Sequence, residues 1–182
     1  MKSCKEEDVA ISLHDALVPG WLQILGSCRH LVDKAESHCN GRGLDPQELI
    51  GARLIEDMHP LAYQLKSCHV HTKGAIEGVR RGEFGPDLSE PPTSFAALAA
   101  RIDDAMVFLG GLDRAELDSL ADRDMAFVIP NRVRREFVAR DFLLGFSQPN
   151  FFFHATTTYA ILRSRGVGIG KIDYLGAMPV KG

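Results

Sequence analysis

Apolar residues at helical spacing are the feature that most limits what this chain can fold into. Between residues 15 and 38 they recur at i, i+3, i+4 and i+7, which is the spacing of one helical face. The same spacing returns from about 57 to 80, from 94 to 110 and from about 139 to 165. The sequence therefore predicts an all-α fold, a four-helix bundle in which these stripes pack against one another.

The segments between the helices carry breaking residues. Residues 81–92, RGEFGPDLSEPP, are rich in glycine and proline and predict a long surface connection. Residues 125–129 and 133–138 predict a small β-hairpin before the last helix. Asp57 is expected to cap the second helix, and Pro149 to kink the last helix or begin a new one. The glycine-rich tail after Gly166 is expected to fold back without forming a helix.

Composition excludes several classes of function. The chain has 182 residues, 45% of them hydrophobic, which predicts one core and one domain over 1–182. A formal net charge of −3 provides no concentrated positive field, which disfavours nucleic acid as a partner. No window approaches 18 uncharged apolar residues, so we expect no membrane span. Four scattered cysteines without a C-x-x-C pair favour a reduced, cytoplasmic location.

His154 is the histidine that the sequence singles out. It follows three phenylalanines in PNFFFHATTT and shares a helical face with Phe151 and Thr158, so we expect it to point inward. Two interpretations stay open. His154 is either a buried structural hydrogen-bonder or a functional imidazole in a pocket between helices.

Two further histidines lie on the second helix. His69 is at the edge of its apolar stripe, one turn from Leu65, while His71 and Gln64 share the opposite flank. The other four histidines lie off the stripes or at a helix end, and we expect them to be ordinary surface residues: His14, His30, His38 and His59.

A functional site around His154 would use a defined set of side chains. His154 would act as general acid or base, with Thr158 and Gln64 as catalytic polar partners. His69 would be another polar partner, and we expect Phe151, His69 and Tyr159 to contact the ligand. A metal ion would need at least three converging ligands, for which His154, His69 and His71 are the candidates.

Three stretches together resemble a known family. DMHPLAYQL, PNFFFHATTTYAILRSRGV and IGKIDYLG, within a region that runs from about residue 13 to 176, look like an uncharacterised domain-of-unknown-function family in the DinB/YfiT-like superfamily. The resemblance implies a DinB-like four-helix bundle that is often paired as a homodimer. Superfamily members often bind a divalent metal through one histidine of the second helix and an H-x-x-x-H pair on the last.

The resemblance also implies candidate metal ligands here. His154 matches the first histidine of the pair, and His69 corresponds to the histidine of the second helix. Thr158 stands four positions after His154, where the pair would have its second histidine. Zinc, nickel or iron would be the expected ion, and activation of a low-molecular-weight thiol the chemistry, although a neutral hydroxyl is a poor replacement for an imidazole.

Three functions therefore remain open on the sequence. The first is a small-molecule-binding bundle that acts as a metal-independent acid/base enzyme of the isomerase or lyase type, with His154 in the pocket between helices. The second is a divalent-metal-dependent thiol transferase or isomerase. The third is a non-catalytic binding or interaction protein that kept the bundle and lost the site.

Overall fold

A computed structural model describes residues 11–181 and confirms a helical bundle with a small β element. Four long helical regions form the bundle, and short helices and a three-stranded sheet fill the connections. The helices are α1 Leu13–Arg42, α2 Pro46–Ile50, α3 Leu61–His69, α4 Ala75–Arg81, α5 Phe95–Gly110, α6 Arg114–Ser119, α7 Ala139–Phe142, α8 Gln148–Ser164 and α9 Lys171–Leu175. The strands are β1 Glu83–Phe84, β2 Asp124–Ile129 and β3 Val133–Val138.

α1 extends beyond the predicted stripe at both ends, and its buried face runs from Leu13 to Cys39. The hydroxyl of Ser12 accepts a hydrogen bond from the backbone N–H of Asp15 at the start. Gly43 closes the other end with a left-handed φ of 64°, which a glycine adopts without steric cost. Pro46 then lies in the first turn of the short helix α2, where its missing N–H costs no hydrogen bond.

The second bundle helix starts one turn later than predicted. The expectation that Asp57 caps it is wrong, because α3 begins at Leu61 after Pro60, which makes no side-chain cap. The backbone N–H of Leu61 instead donates to the carbonyl of Ala52 in the preceding loop. A π-helical turn, Val70–Gly74, separates α3 from α4.

The predicted hairpin is present, and a short strand joins it. β2 pairs antiparallel with β3, with Ile129 opposite Val133 at the turn. Glu83 and Phe84, in the segment expected to be a plain connection, form β1 and pair parallel with β2. A two-residue strand has too few residues to show the alternation that identifies strands in a sequence.

The last helical region is divided by a second π-helical turn, Leu143–Ser147, and α8 begins at Gln148 with Pro149 in its first turn. The expectation of a non-helical tail is wrong, because α9 forms after Gly170. The predicted return of the tail to the body is confirmed, since the Gln23 amide donates to the carbonyl of Leu175 at 2.7 Å.

The core lies between α1, α3, α5 and α8. Trp21 of α1 and Phe151 of α8 are both wholly buried and meet edge to face, 6.3 Å between ring centroids. Cys28 and Cys68 are wholly buried in the core, while Cys4 lies outside the described residues. Within residues 11–181 no helix has the length and apolar character needed to cross a membrane.

Candidate functional site

The face that α3 and its π-helical turn present to α8 gathers the side chains of the candidate site. The Nδ1 atom of His154 lies 2.7 Å from Oε1 of Gln64. The ring of His154 also stacks on that of His71, with 5.6 Å between centroids and 17° between planes. The structure thus brings together His154 and Gln64, both predicted site residues, with His71, which the sequence offered only as a candidate metal ligand.

The hydrogen bonds of Gln64 determine which nitrogen of His154 carries the proton. The amide nitrogen of Gln64 donates to the carbonyl oxygen of His59 at 2.9 Å, and a carbonyl oxygen can only accept. The amide oxygen of Gln64 therefore faces His154, so Nδ1 of His154 must be the donor. The remaining nitrogen, Nε2, carries the lone pair, and no group within residues 11–181 bonds to it.

A parallel arrangement holds His71. The hydroxyl of Ser147 donates to the backbone carbonyl of His71 at 3.1 Å, which leaves its oxygen lone pairs to accept from Nδ1 of His71 at 3.3 Å. These two bonds join the two π-helical turns, one residue from each. π-helical turns inside α-helices recur at functional sites. His71 therefore also keeps its lone pair on Nε2.

Both imidazoles are neutral at neutral pH. Burial, with a contribution from His59, lowers the pKa of His154 to about 4. Burial, with a contribution from His154, lowers the pKa of His71 to about 3. The ring of His71 lies against Phe84 at 5.6 Å and Phe146 at 5.9 Å, which explains why its charged form is disfavoured.

A cleft of about 410 Å³ opens beside this site. His59, Pro60 and Tyr63 form one wall, and residues 87–91 form the other. The rings of His59 and Tyr63 stack with centroids 3.8 Å apart, and Tyr63 meets the ring of His154 edge to face at 6.1 Å. Tyr63 thus lines the cleft and contacts the ring of His154, which does not itself line the cleft.

A buried lysine fixes the second wall of the cleft. Lys66 is only 1% exposed, and its Nζ donates to the backbone carbonyls of Asp87, at 2.7 Å, and of Ser89. It also lies 3.2 Å from the carboxylate of Asp87. Burial alone would raise the pKa of Asp87, but hydrogen bonds from Ser89 and Lys66 lower it to about 2. The ammonium group of Lys66 is thus bonded to residues of this wall.

His69 does not join His154, which corrects the expectation that the two act together. Its Nε2 lies 2.8 Å from the carboxylate of Asp104 on α5, and Lys73 bonds the same carboxylate. The spacing of residues identified the two flanks of α3 correctly but could not say which neighbouring helix each flank would meet. The shared flank of His71 and Gln64 was the available signal for the site.

The remaining predicted residues support the core. Phe151 packs on Trp21, and Tyr159 lies edge to face against Tyr174 at 6.1 Å. Thr158 is wholly buried, and its hydroxyl has no hydrogen-bond partner within the described residues. None of these three lines the 410 Å³ cleft. A larger cavity of about 560 Å³, beside α1 and α9, also contains no predicted site residue.

The donor set does not fit the three-ligand metal centre that the resemblance implies. His154 and His71 each offer an Nε2 lone pair, but the third position is Thr158, a buried neutral hydroxyl, and His69 is bonded to Asp104. Across residues 11–181, no three histidine, cysteine, aspartate or glutamate side chains are grouped to hold a metal ion. The predicted pair of ligands, His154 and His69, is therefore not assembled.

Comparisons with known proteins agree with this architecture. The family described as "Domain of unknown function (DUF1993)" matches residues 13–175. A crystal structure of a DinB family member protein from Shewanella denitrificans is 29% identical in sequence, with a TM-score of 0.79. The match covers 93% of this chain and 95% of that one. No curated protein matches the sequence.

Proposed function

This chain belongs to the DUF1993 family, and we propose that it is a small-molecule-binding DinB-like bundle in which His154 acts as a general base. The reaction would be of the isomerase or lyase type and would need no metal. The observation that carries the proposal is the hydrogen bond from Nδ1 of His154 to Gln64, which leaves the Nε2 lone pair unoccupied by protein.

The chemistry follows from that tautomer. Nε2 of His154 accepts a proton from a substrate carbon, and the electron pair left behind either shifts a double bond or expels a leaving group. The imidazolium that forms is stabilised because Oε1 of Gln64 continues to accept from Nδ1. In an isomerisation the same proton is then returned to another substrate atom.

The low pKa of His154 limits which protons it can remove. With a pKa of about 4 the imidazole is unprotonated at pH 7 and always available, but it is a weak base. The substrate proton must therefore be acidic, such as one adjacent to a carbonyl group. Gln64 is a positioning residue in this scheme, and Thr158, Phe151 and Tyr159 support α8 without touching the substrate.

The proposal extends to location and assembly. The free, buried thiols of Cys28, Cys39 and Cys68 support a reducing compartment, which we take to be the cytoplasm. We also propose the homodimer that the superfamily resemblance implies, for which light scattering at several protein concentrations is the direct test.

The general-base role can be tested with a chromogenic proton-abstraction probe. 5-Nitrobenzisoxazole loses its ring proton to a base, the N–O bond breaks, and a coloured cyanophenolate forms. We expect the protein to accelerate this elimination over the rate in buffer alone, and His154→Gln to lower the accelerated rate at least tenfold. The rate above background should fall as the pH approaches about 4, where His154 becomes protonated.

His69→Gln is the matched control. It removes a partly buried imidazole of α3 that bonds Asp104 and makes no hydrogen bond to His154. This variant should keep the rate of the unaltered protein. Equal rates for the unaltered protein and a folded His154→Gln variant would show that His154 is not a base and that its role is structural.

A further inference from the structure

We infer that the ligand of the site formed by His71 and His154 is an uncharged molecule with an apolar ring that donates hydrogen bonds to these imidazoles. The inference rests on the proposed function for the location of the site. It goes beyond that function by naming the chemical class of the ligand.

The requirement for a donor follows from the two tautomers. Gln64 accepts the Nδ1 proton of His154, and Ser147 accepts that of His71. The atoms left for a ligand are the two Nε2 lone pairs, which can only accept. A ligand with an O–H or N–H group can satisfy them, whereas a ligand with only acceptor atoms would face unpaired lone pairs at a cost in binding.

The requirement for neutrality follows from what surrounds the two rings. His14, His30 and His69 each have a nitrogen within 3.5 Å of an aspartate carboxylate. Within residues 11–181, neither His71 nor His154 has such a partner. A charged ligand in this site would therefore lose hydration without gaining a counter-ion.

The cations nearest to His71 along the chain do not change this conclusion. Lys73, two positions away, bonds the carboxylate of Asp104. Lys66 belongs to α3, but its Nζ is bound to Asp87 and Ser89 in the wall of the cleft. Arg101 from α5 bonds the same Asp87 carboxylate at 2.7 Å. Lys66, Lys73 and Arg101 thus bond to carboxylates or backbone carbonyls, and none of the three bonds to His71 or His154 within the described residues.

The requirement for an apolar ring follows from the aromatic neighbours. Phe146, which is partly exposed, lies 5.9 Å from the ring of His71, whereas Phe84 at 5.6 Å is a core residue that is only 3% exposed. Phe153 meets the ring of His154 edge to face at 5.4 Å and is itself 56% exposed. Aromatic surfaces of this kind pack well against a planar ring in offset or edge-to-face geometry.

Four probes of similar size separate these requirements: phenol, anisole, benzoate and benzylammonium. Anisole keeps the ring and oxygen of phenol but lacks the donor, and the two ions add charge of either sign. Titrations of the full chain, followed by the imidazole NMR signals and by calorimetry at pH 7, measure each affinity. We expect phenol to shift the signals of His71 and His154 and to bind at least tenfold more tightly than the other three.

Three results would overturn the inference: no binding of phenol, equal binding of anisole, or tighter binding of either ion. The four-probe comparison is made on the unaltered protein and so does not depend on whether a variant folds. Among variants, His71→Gln and His154→Gln should weaken phenol binding, while His69→Gln should not.

The two proposals fail in different ways. Tight phenol binding without accelerated elimination, measured up to 5-nitrobenzisoxazole concentrations at which it displaces phenol from the protein, would support the ligand class and refute the general base. Accelerated elimination with no preference for phenol would do the reverse.

Discussion

Two imidazoles, His69 at the end of α3 and His71 in the π-helical turn that follows, lie in opposite electrostatic surroundings. His69 faces α5, where Asp104 bonds it at 2.8 Å and Lys73 completes a charged cluster. His71 faces α8, where its ring stacks on the neutral imidazole of His154. The residues are two positions apart, yet only one of them has a counter-ion within the described part of the chain.

The difference in surroundings gives the two histidines different properties. His69 is held in an ion-pair cluster, whereas His71 keeps a free Nε2 lone pair. Burial lowers the pKa of His69, but the hydrogen bond to Asp104 opposes that effect. Burial lowers the pKa of His71 with no carboxylate to oppose it. An imidazole held neutral, with one nitrogen oriented and the other free, is suited to accept a proton or a ligand hydrogen bond.

The largest expected effect is a loss of stability on acidification. The unfolded chain binds a proton at His154 near pH 6.5, whereas the folded protein does so only near pH 4. The contribution of this group is full above pH 6.5 and is lost as the pH falls toward 4, by on the order of 3 kcal/mol. The lowered pKa of His71 adds to this loss of stability as the pH falls toward about 3.

Guanidinium unfolding between pH 7.5 and 4 measures this loss. His154→Gln should make the free energy of unfolding less dependent on pH, and His69→Gln should do so to a smaller extent because Asp104 opposes the effect of burial. Parallel pH curves for the unaltered protein and His154→Gln would contradict the comparison between the flanks.

The next effect comes from placing a charge on the neutral flank. Gln64→Glu puts a carboxylate where an amide oxygen now lies 2.7 Å from Nδ1 of His154. A contact of this kind should raise the pKa of His154 by about 1 to 3 units. An NMR titration of the imidazole signals measures it. Gln47→Glu, on an exposed turn of α2, is the control and should leave that pKa unchanged, while an unmoved pKa in Gln64→Glu would refute the assigned contact.

The smallest effect is expected from neutralising the charged flank. Asp104 is 51% exposed, so Asp104→Asn should cost no more than about 1 kcal/mol of unfolding free energy. The pKa of His69 should fall further, because it loses the bond that opposes burial, while that of His154 should stay constant. If both pKa values moved together, the two flanks would not be independent sites.

Much of the fold could be predicted because it depends on local patterns. The stripes of α1, α5 and α8 and the alternation of the hairpin are repeated many times, so single exceptions do not hide them. The start of the second helix was missed because its first residue, Leu61, donates its backbone N–H to the carbonyl of Ala52. Ala52 lies nine positions earlier in the chain, outside the apolar stripe of that helix. The short elements β1, α6 and α9 contain too few residues to establish a period.

The site was predicted in part for the same reason. The inward position of His154 and the flank shared by Gln64 and His71 follow from helical spacing. The sequence could not show that His69 would meet Asp104 and not His154, because a stripe gives the angle of a side chain about its own helix and nothing about its neighbour. Phe151, Thr158 and Tyr159 lie on a predicted helix but face the core or the C-terminal segment.

By itself, the sequence determined the helices, the hairpin, the family resemblance and the position of His154 on its helix, because spacing and turn residues act over a few positions. Only the tertiary structure decided that His71 stacks on His154, that Ser147 joins the two π-helical turns, and which nitrogens carry protons. Those features depend on hydrogen bonds between residues 76 to 90 positions apart, which form only when α3 and α8 pack side by side.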